Sequence, residues 1–139
     1  MNNPDFQDDM FGEAVPVFPS IPSWLKTCVE NIWQLYNTRE PLYKNQRIAD
    51  DDLYLQIMYW KVFDGLDDVF DTAETPEDAF FKLEEWYVSG RPTSPETINR
   101  SRRWLTQDRD GGAYMRVSPA AKSRRAKNEQ MMRSQIREQ

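Results

Sequence analysis

Glu84–Asp108 runs EEWYVSGRPTSPETINRSRRWLTQD, and the way this stretch divides decides the fold. Ser94-Pro95 is a helix start: the hydroxyl can cap a free backbone N–H, and proline at the first helical position has no N–H to leave unpaired. Helical spacing over about 95–108 then turns Ile98, Ser101 and Leu105 inward, with Trp104 beside them. Asn99, Arg100, Arg103 and Gln107 point away, with Glu96, Thr97 and Arg102 nearby. The same signal at Thr75-Pro76-Glu77-Asp78 opens a helix over about 76–88, with Ala79, Phe80, Leu83, Trp86 and Tyr87 inward. Gly90 can supply the left-handed cap at its end. Ser118-Pro119-Ala120-Ala121 repeats the signal and opens a basic helix over about 119–137.

Toward the N-terminus, Asp50–Asp52 place carboxylates at a helix start. The helix that follows carries Leu53, Ile57, Trp60, Phe63 and Leu66 on one face and Leu55, Met58, Tyr59 and Val62 beside it. Apolar round most of its circumference, it is expected at the centre of the molecule. Ser23 is the expected cap of a helix reaching about Asn37, in which Leu25, Cys28, Val29, Ile32, Leu35 and Tyr36 form the apolar stripe. Residues 38–47 are polar and read as a connection, Asp110-Gly111-Gly112 as a turn, and Ala113–Val117 as a short extended stretch. Residues 1–22 hold four prolines and four acidic residues, yet also Phe6, Met10, Phe11, Val15, Val17, Phe18 and Ile21. Such a tail either lies across the domain or inserts into a partner. The expectation is an all-α protein, a small bundle of four to five helices with a helix-turn-helix-like pair. A flexible N-terminal tail (1–22) precedes the helical core (23–110), and a turn and basic C-terminal helix (111–139) follow it.

Several function classes are excluded by composition. The single cysteine, Cys28, excludes an intramolecular disulfide and any Cys-rich zinc site, and its place on the stripe reads as core. The absence of histidine removes the commonest general base and the Ser-His and Cys-His pairs. Neither GxGxxG nor GxxxxGK[ST] occurs, so the usual phosphate loops are missing. The chain is therefore not expected to be an enzyme, and no cofactor is expected. Asp64, Asp67, Asp68 and Asp71 lack calcium-loop spacing and read as a solvated helix end, so no metal is expected either. No apolar run approaches the ~20 residues of a bilayer span, and no basic-then-apolar leader is present. The expected setting is cytoplasmic, with no membrane contact.

The net charge of −5 conceals a polarity. Residues 1–90 carry 18 acidic and 6 basic side chains, whereas residues 91–139 carry 5 acidic and 12 basic. Such asymmetry points to a nucleic-acid contact at the basic end, or to a basic end folded back on the acidic one. Two helices joined by the Gly-containing connection Ser89–Ser94, the second of them basic, have the layout of a looser helix-turn-helix. Arg reads guanine and Asn or Gln reads adenine, so Thr97, Asn99, Arg100, Arg103 and Gln107 are the candidate DNA contacts. Arg124 and Arg125, in a tail with six basic and two acidic residues, would add phosphate contacts. Met131, Met132 and Ile136 are too sparse for a coiled-coil seam, but their face can dock a protein.

The segment Ser94–Gln107 resembles the SPETIxRxRRxLQ stretch of small uncharacterised phage and prophage proteins predicted to contain a helix-turn-helix. The resemblance covers about fifteen residues and, more weakly, Ala49–Leu53. Its shared positions are Pro95, Glu96, Ile98, Arg100, Arg102, Arg103 and Gln107. It implies a DNA-binding phage regulator or replication accessory, at work in the host cytoplasm. The alternative is a protein-binding module that inhibits or redirects a partner (host) protein. Its acidic face, Asp64, Asp67 and Asp68, would meet a basic surface, with Phe6 and Phe11 as a second anchor. Oligomeric state is open; a palindromic DNA site would require a dimer.

Overall fold

The computed structural model describes residues 16–38, 45–108 and 112–138. Among the described residues the protein is all-helical and contains no strand. A 3₁₀ turn, Ser23–Leu25, leads into α1 (Lys26–Tyr36). Then come α2 (Asn45–Asp50), α3 (Asp52–Phe63), α4 (Leu66–Asp71), α5 (Pro76–Val88), α6 (Pro95–Thr106) and α7 (Pro119–Glu138). Phe6 and Phe11 lie outside the described residues.

Local chemistry sets most of these boundaries. The Thr75 and Ser94 hydroxyls accept from the backbone N–H of Asp78 (3.0 Å) and Thr97 (3.2 Å), and the Ser118 hydroxyl accepts from that of Ala121 (3.2 Å). All three hydroxyl-proline starts therefore form as expected. Asp78 completes a reciprocal cap by accepting from the Glu74 N–H at 3.1 Å. Asp51, within the expected acidic start, caps α3 by accepting from the Tyr54 N–H at 3.0 Å. Ser23 does not cap; Pro22 precedes the 3₁₀ turn, and no side chain bonds its first N–H groups.

The helix count exceeds the expected four to five for two reasons. The helix expected through Leu66 breaks at Asp64-Gly65, where Gly65 takes φ +84°, a left-handed conformation that costs other residues about 1–2 kcal/mol. Helix α2 takes up the last three residues of the stretch read as a connection and runs on through Ile48 and Ala49, which are wholly buried. Among the described residues of α2 these are the two buried side chains, too few to show as a periodic pattern.

Two apolar clusters result. In the larger, α6 packs on α1 and α3, joining Ile98, Trp104 and Leu105 to Val29, Ile32, Leu35, Leu55 and Tyr59. Phe18, from the segment expected to be tail, is buried here with its ring edge-on to Trp104 (5.7 Å) and Tyr114 (4.8 Å). Met115, in the stretch read as extended, is fully buried and its N–H bonds the Leu105 carbonyl at 3.0 Å. Cys28 is core, as expected, and burial pushes its thiol up from the ordinary range. The smaller cluster holds Leu66, Val69 and Trp86, with Trp60 bridging to the larger through a Trp60–Trp86 edge contact of 5.6 Å.

Two inward faces differ from expectation. α3 buries Leu55, Met58 and Tyr59, leaving Leu53 73% exposed and Ile57 exposed as well. α5 buries Trp86 alone, and Phe80 and Tyr87 face solvent. On α3 apolar residues occupy nearly every direction, so period alone does not choose the buried side. On α5 the neighbour is the short α4, which can cover only one turn's width.

Leu105→Ala is expected to lower unfolding free energy by about 2–5 kcal/mol in urea titration, since the site is fully enclosed. Gly65→Ala should cost about 1–2 kcal/mol through its φ alone. The nearest atoms to an added methyl belong to the movable Arg91 guanidinium.

Candidate nucleic-acid interface

Helix α6 divides by its period. Ile98, Ser101, Arg102, Trp104 and Leu105 are buried, whereas Arg100, Arg103 and Gln107 are exposed and Asn99 is half-buried. The Ser101 hydroxyl donates to the Thr97 carbonyl at 2.8 Å, which satisfies the polar group inside the packed face. On the outer face the Arg100 guanidinium pairs with Glu96 at 2.6 Å and lies 5.7 Å from the exposed Trp24 ring. The Arg103 guanidinium makes no hydrogen bond or ion pair among the described residues. Leu25, Arg100, Arg103, Trp104 and Gln107 line a shallow depression of about 340 Å³. Four of the five outer-face candidates, Asn99, Arg100, Arg103 and Gln107, thus share one side of α6.

Thr97 is a correction. Its N–H and hydroxyl are both engaged by Ser94, the hydroxyl accepting at 2.9 Å, so it belongs to the cap rather than to a reading face. Arg102, placed near the outer face by its neighbours, lies on the inner one. It stands four residues after Ile98, and counting turns from Ile98 would have found it. Its side chain is 8% exposed, with Nε 2.8 Å from Asp52 Oδ1. The N–H is not aimed at the oxygen, so this is an ion pair without a formed hydrogen bond. Burial lowers the Arg102 pKa, and Asp52 opposes that shift; an arginine starting so high stays charged at neutral pH.

Arg125 is the second correction. It is half-buried, donating to the carbonyls of Asp50 (2.8 Å) and Ala49 (3.3 Å) and lying 3.5 Å from Asp52. Its role is to tether α7 to the junction of α2 and α3. Arg124 stays exposed on the same turn, beside Asp50 and Asp51. Burial acts to raise the Asp50 carboxyl, but it is outweighed. The Ser118 N–H at 2.8 Å, the Ser118 hydroxyl, Gln46 and the Arg125 charge together hold it below the usual aspartate range.

The acidic alternative is also rearranged. Asp64 accepts from the Thr93 N–H (2.7 Å) and hydroxyl (3.2 Å), and its carbonyl accepts from the Trp86 indole at 2.7 Å. It is a half-buried brace for the connection between α5 and α6, not a free docking charge. Asp67 sits 3.8 Å from Lys61, and Asp68 is exposed. Among the described residues no group of His, Cys, Asp or Glu is placed to hold a metal ion, and no helix is long and apolar enough to cross a membrane.

The feature not foreseen is an apolar groove of about 560 Å³ on the side of the smaller cluster. Ile57, Phe70, Phe80, Leu83, Tyr87 and Val88 line it, with Phe80 68% and Val88 80% exposed. Its signal in the sequence is the crowding of Phe80, Phe81, Leu83, Trp86, Tyr87 and Val88 on α5, more than one helix face can bury. No protein-family model, curated protein or solved structure matches the chain.

Asp52→Asn is expected to cost about 1–3 kcal/mol, because it strands the buried Arg102 charge. Arg102→Met, which removes the buried charge and leaves Asp52 in water, should cost less; chemical denaturation of both variants checks the order. The Asp50 contribution is complete above the ordinary aspartate pKa of about 3.9 and is lost as pH falls through the lower folded value. Thermal melts should therefore fall more steeply with acidification below about pH 4 in the parent than in Asp50→Asn.

Proposed function

We propose that the chain is a small DNA-binding protein whose helix α6 lies in the major groove, in keeping with the phage regulator or replication accessory implied by the Ser94–Gln107 resemblance. The observation that supports this reading is the division of α6. Its inner residues fix it to α1, and its outer face presents Asn99, Arg100, Arg103 and Gln107 together. Arg103 is available as it stands. Arg100 must leave Glu96, but an exposed i,i+4 pair is worth only about 0.3–0.5 kcal/mol, against about 1–3 kcal/mol for a bidentate contact with guanine. Lys122, Arg124 and Lys127, all exposed on α7, supply phosphate contacts without sequence information. With Arg102 and Arg125 engaged internally, affinity rests on the few remaining cations, so it falls as salt rises with a slope set by their small number.

A second reading, a docking module for a partner protein, is favoured by the exposed apolar groove, with Asp68, Asp71, Glu77 and Glu84 on the same helices. It is separable from the first because none of its residues lies on α6.

Duplexes selected from a randomised pool should bind the parent at ~50 mM salt and release it by ~200 mM. Arg100→Ala with Arg103→Ala should weaken binding by tenfold or more, at about 1–3 kcal/mol per lost base contact, with the helical circular-dichroism signal unchanged. Equal binding by parent and double variant in fluorescence anisotropy would remove α6 as the reading element.

A further inference from the structure

The apolar groove has a counterpart at the other end of the chain. Helix α7 is held to the body only over its first two turns, where Ala121 is buried and Arg125 binds the Ala49 and Asp50 carbonyls. From Ala126 to Ile136 every residue is exposed. A projecting helix of that length is marginal in water without a covered face. Such a face is present in its sequence. Counting at 100° per residue, the direction that is buried at Ala121 and Arg125 runs on through Met132 and Ile136, with Met131 beside them. The stripe that packs against the body thus continues past the edge of the body, flanked by Arg124 on one side and Arg133 on the other.

The charges of the two surfaces are opposite. Residues 64–88, which contain α4 and α5, carry nine acidic side chains and one lysine. Residues 118–139 carry six basic and two acidic. With α7 in place, Phe80, Tyr87 and Val88 remain exposed, so a chain's own helix leaves its groove uncovered.

We propose that the groove formed by α3, α4 and α5 receives the C-terminal half of α7 from a second copy of this chain, and that two copies exchange these helices reciprocally. This rests on the docking reading and names its occupant. Met131, Met132 and Ile136 enter among Ile57, Phe80 and Tyr87, the unbranched methionines adapting to an open groove. Arg133, exchanging its exposed pair with Glu129 (2.6 Å), meets the acidic side chains of α4 and α5. Reciprocal exchange doubles the area buried and closes the assembly, whereas a single head-to-tail contact would propagate.

Sedimentation equilibrium of the full chain between about 1 and 100 µM should give twice the 16.5 kDa monomer mass, with dissociation at the lower end. Phe80→Asp in the groove and Met132→Asp on the helix alter exposed positions, so each should keep the parental helical signal and sediment as a monomer. Mixed in equal amounts, the two variants keep one intact helix–groove contact of the two, so the mixture should associate more weakly than the parent and more strongly than either variant alone. A parent that stays monomeric at 100 µM, or a pair of single variants that both dimerise as the parent does, overturns the proposal. A dimer lost with Phe80→Asp but kept with Met132→Asp removes α7 as the occupant while leaving the groove a docking face.

Discussion

Asp52 holds two guanidinium groups, Arg102 from α6 and Arg125 from α7, at the point where α3 begins. Arg102 is the only one of the α6 arginines taken out of water, and a buried charge of that kind persists only against a fixed opposite charge. Its partner is not itself buried, so the pair avoids the full cost of desolvating two ions. The consequence is directional. With Arg102 committed inward, helical geometry sends Arg100 and Arg103 to the opposite side. The rotation of α6 about its own axis, and with it the composition of its outer face, follows from this pair together with Ile98 and Leu105.

The same interaction divides the basic half of the chain. Internal neutralisation and an exposed cationic edge were alternatives in the sequence, and both occur, on different residues. Arg102 and Arg125 neutralise the start of α3, while Arg103 and Arg124 face solvent. Net charge by halves has no means of separating these groups, because it counts residues without regard to helix face. The face assignment within α6 was legible where apolar residues fixed the period, and it failed at Arg102, where charge alone suggested exposure.

Legibility elsewhere followed the range of the interaction involved. The three hydroxyl-proline starts are bonds across three residues, written wholly in local sequence, and they form. The α1 stripe was legible because polar residues mark its outer side. Helix α3 offered no such mark, and its buried side is chosen by α1 and α6, whose sequence is far away. Asp64 shows the same limit for a polar residue. As one of four aspartates it reads as a solvated helix end, but the fold brings Thr93, 29 residues on, within hydrogen-bond reach. That bond, with Trp86 on the Asp64 carbonyl and Trp60 on the Thr93 carbonyl, seats the connection that delivers the chain into α6. Helix α6 is therefore carried by α1, while α5, the first helix of the pair, packs with α4. The orientation of the outer face depends on the core rather than on a tight turn.

A protein with a sequence pI near 4.8 is an unpromising ligand for a polyanion, and the exchanged pair proposed above bears directly on that difficulty. In a single copy the acidic side chains of α4 and α5 lie uncovered and contribute a repulsive field at any approaching phosphate. In a reciprocal pair the most acidic surface of each copy would be met by the other's most basic helix, which would neutralise that surface locally while the pair as a whole carries twice the net charge of −5. The cations of α7 are then divided, those near Met132 serving the partner and Arg124, close to the body, remaining for phosphate. Two α6 faces held in one closed assembly would meet DNA with a fixed separation, which has to match a whole number of helical turns for both to enter the major groove. On the two proposals together, self-association and base reading would be linked through geometry and through the local cover of the anionic face, which would otherwise repel the phosphates that so few free arginines have to attract.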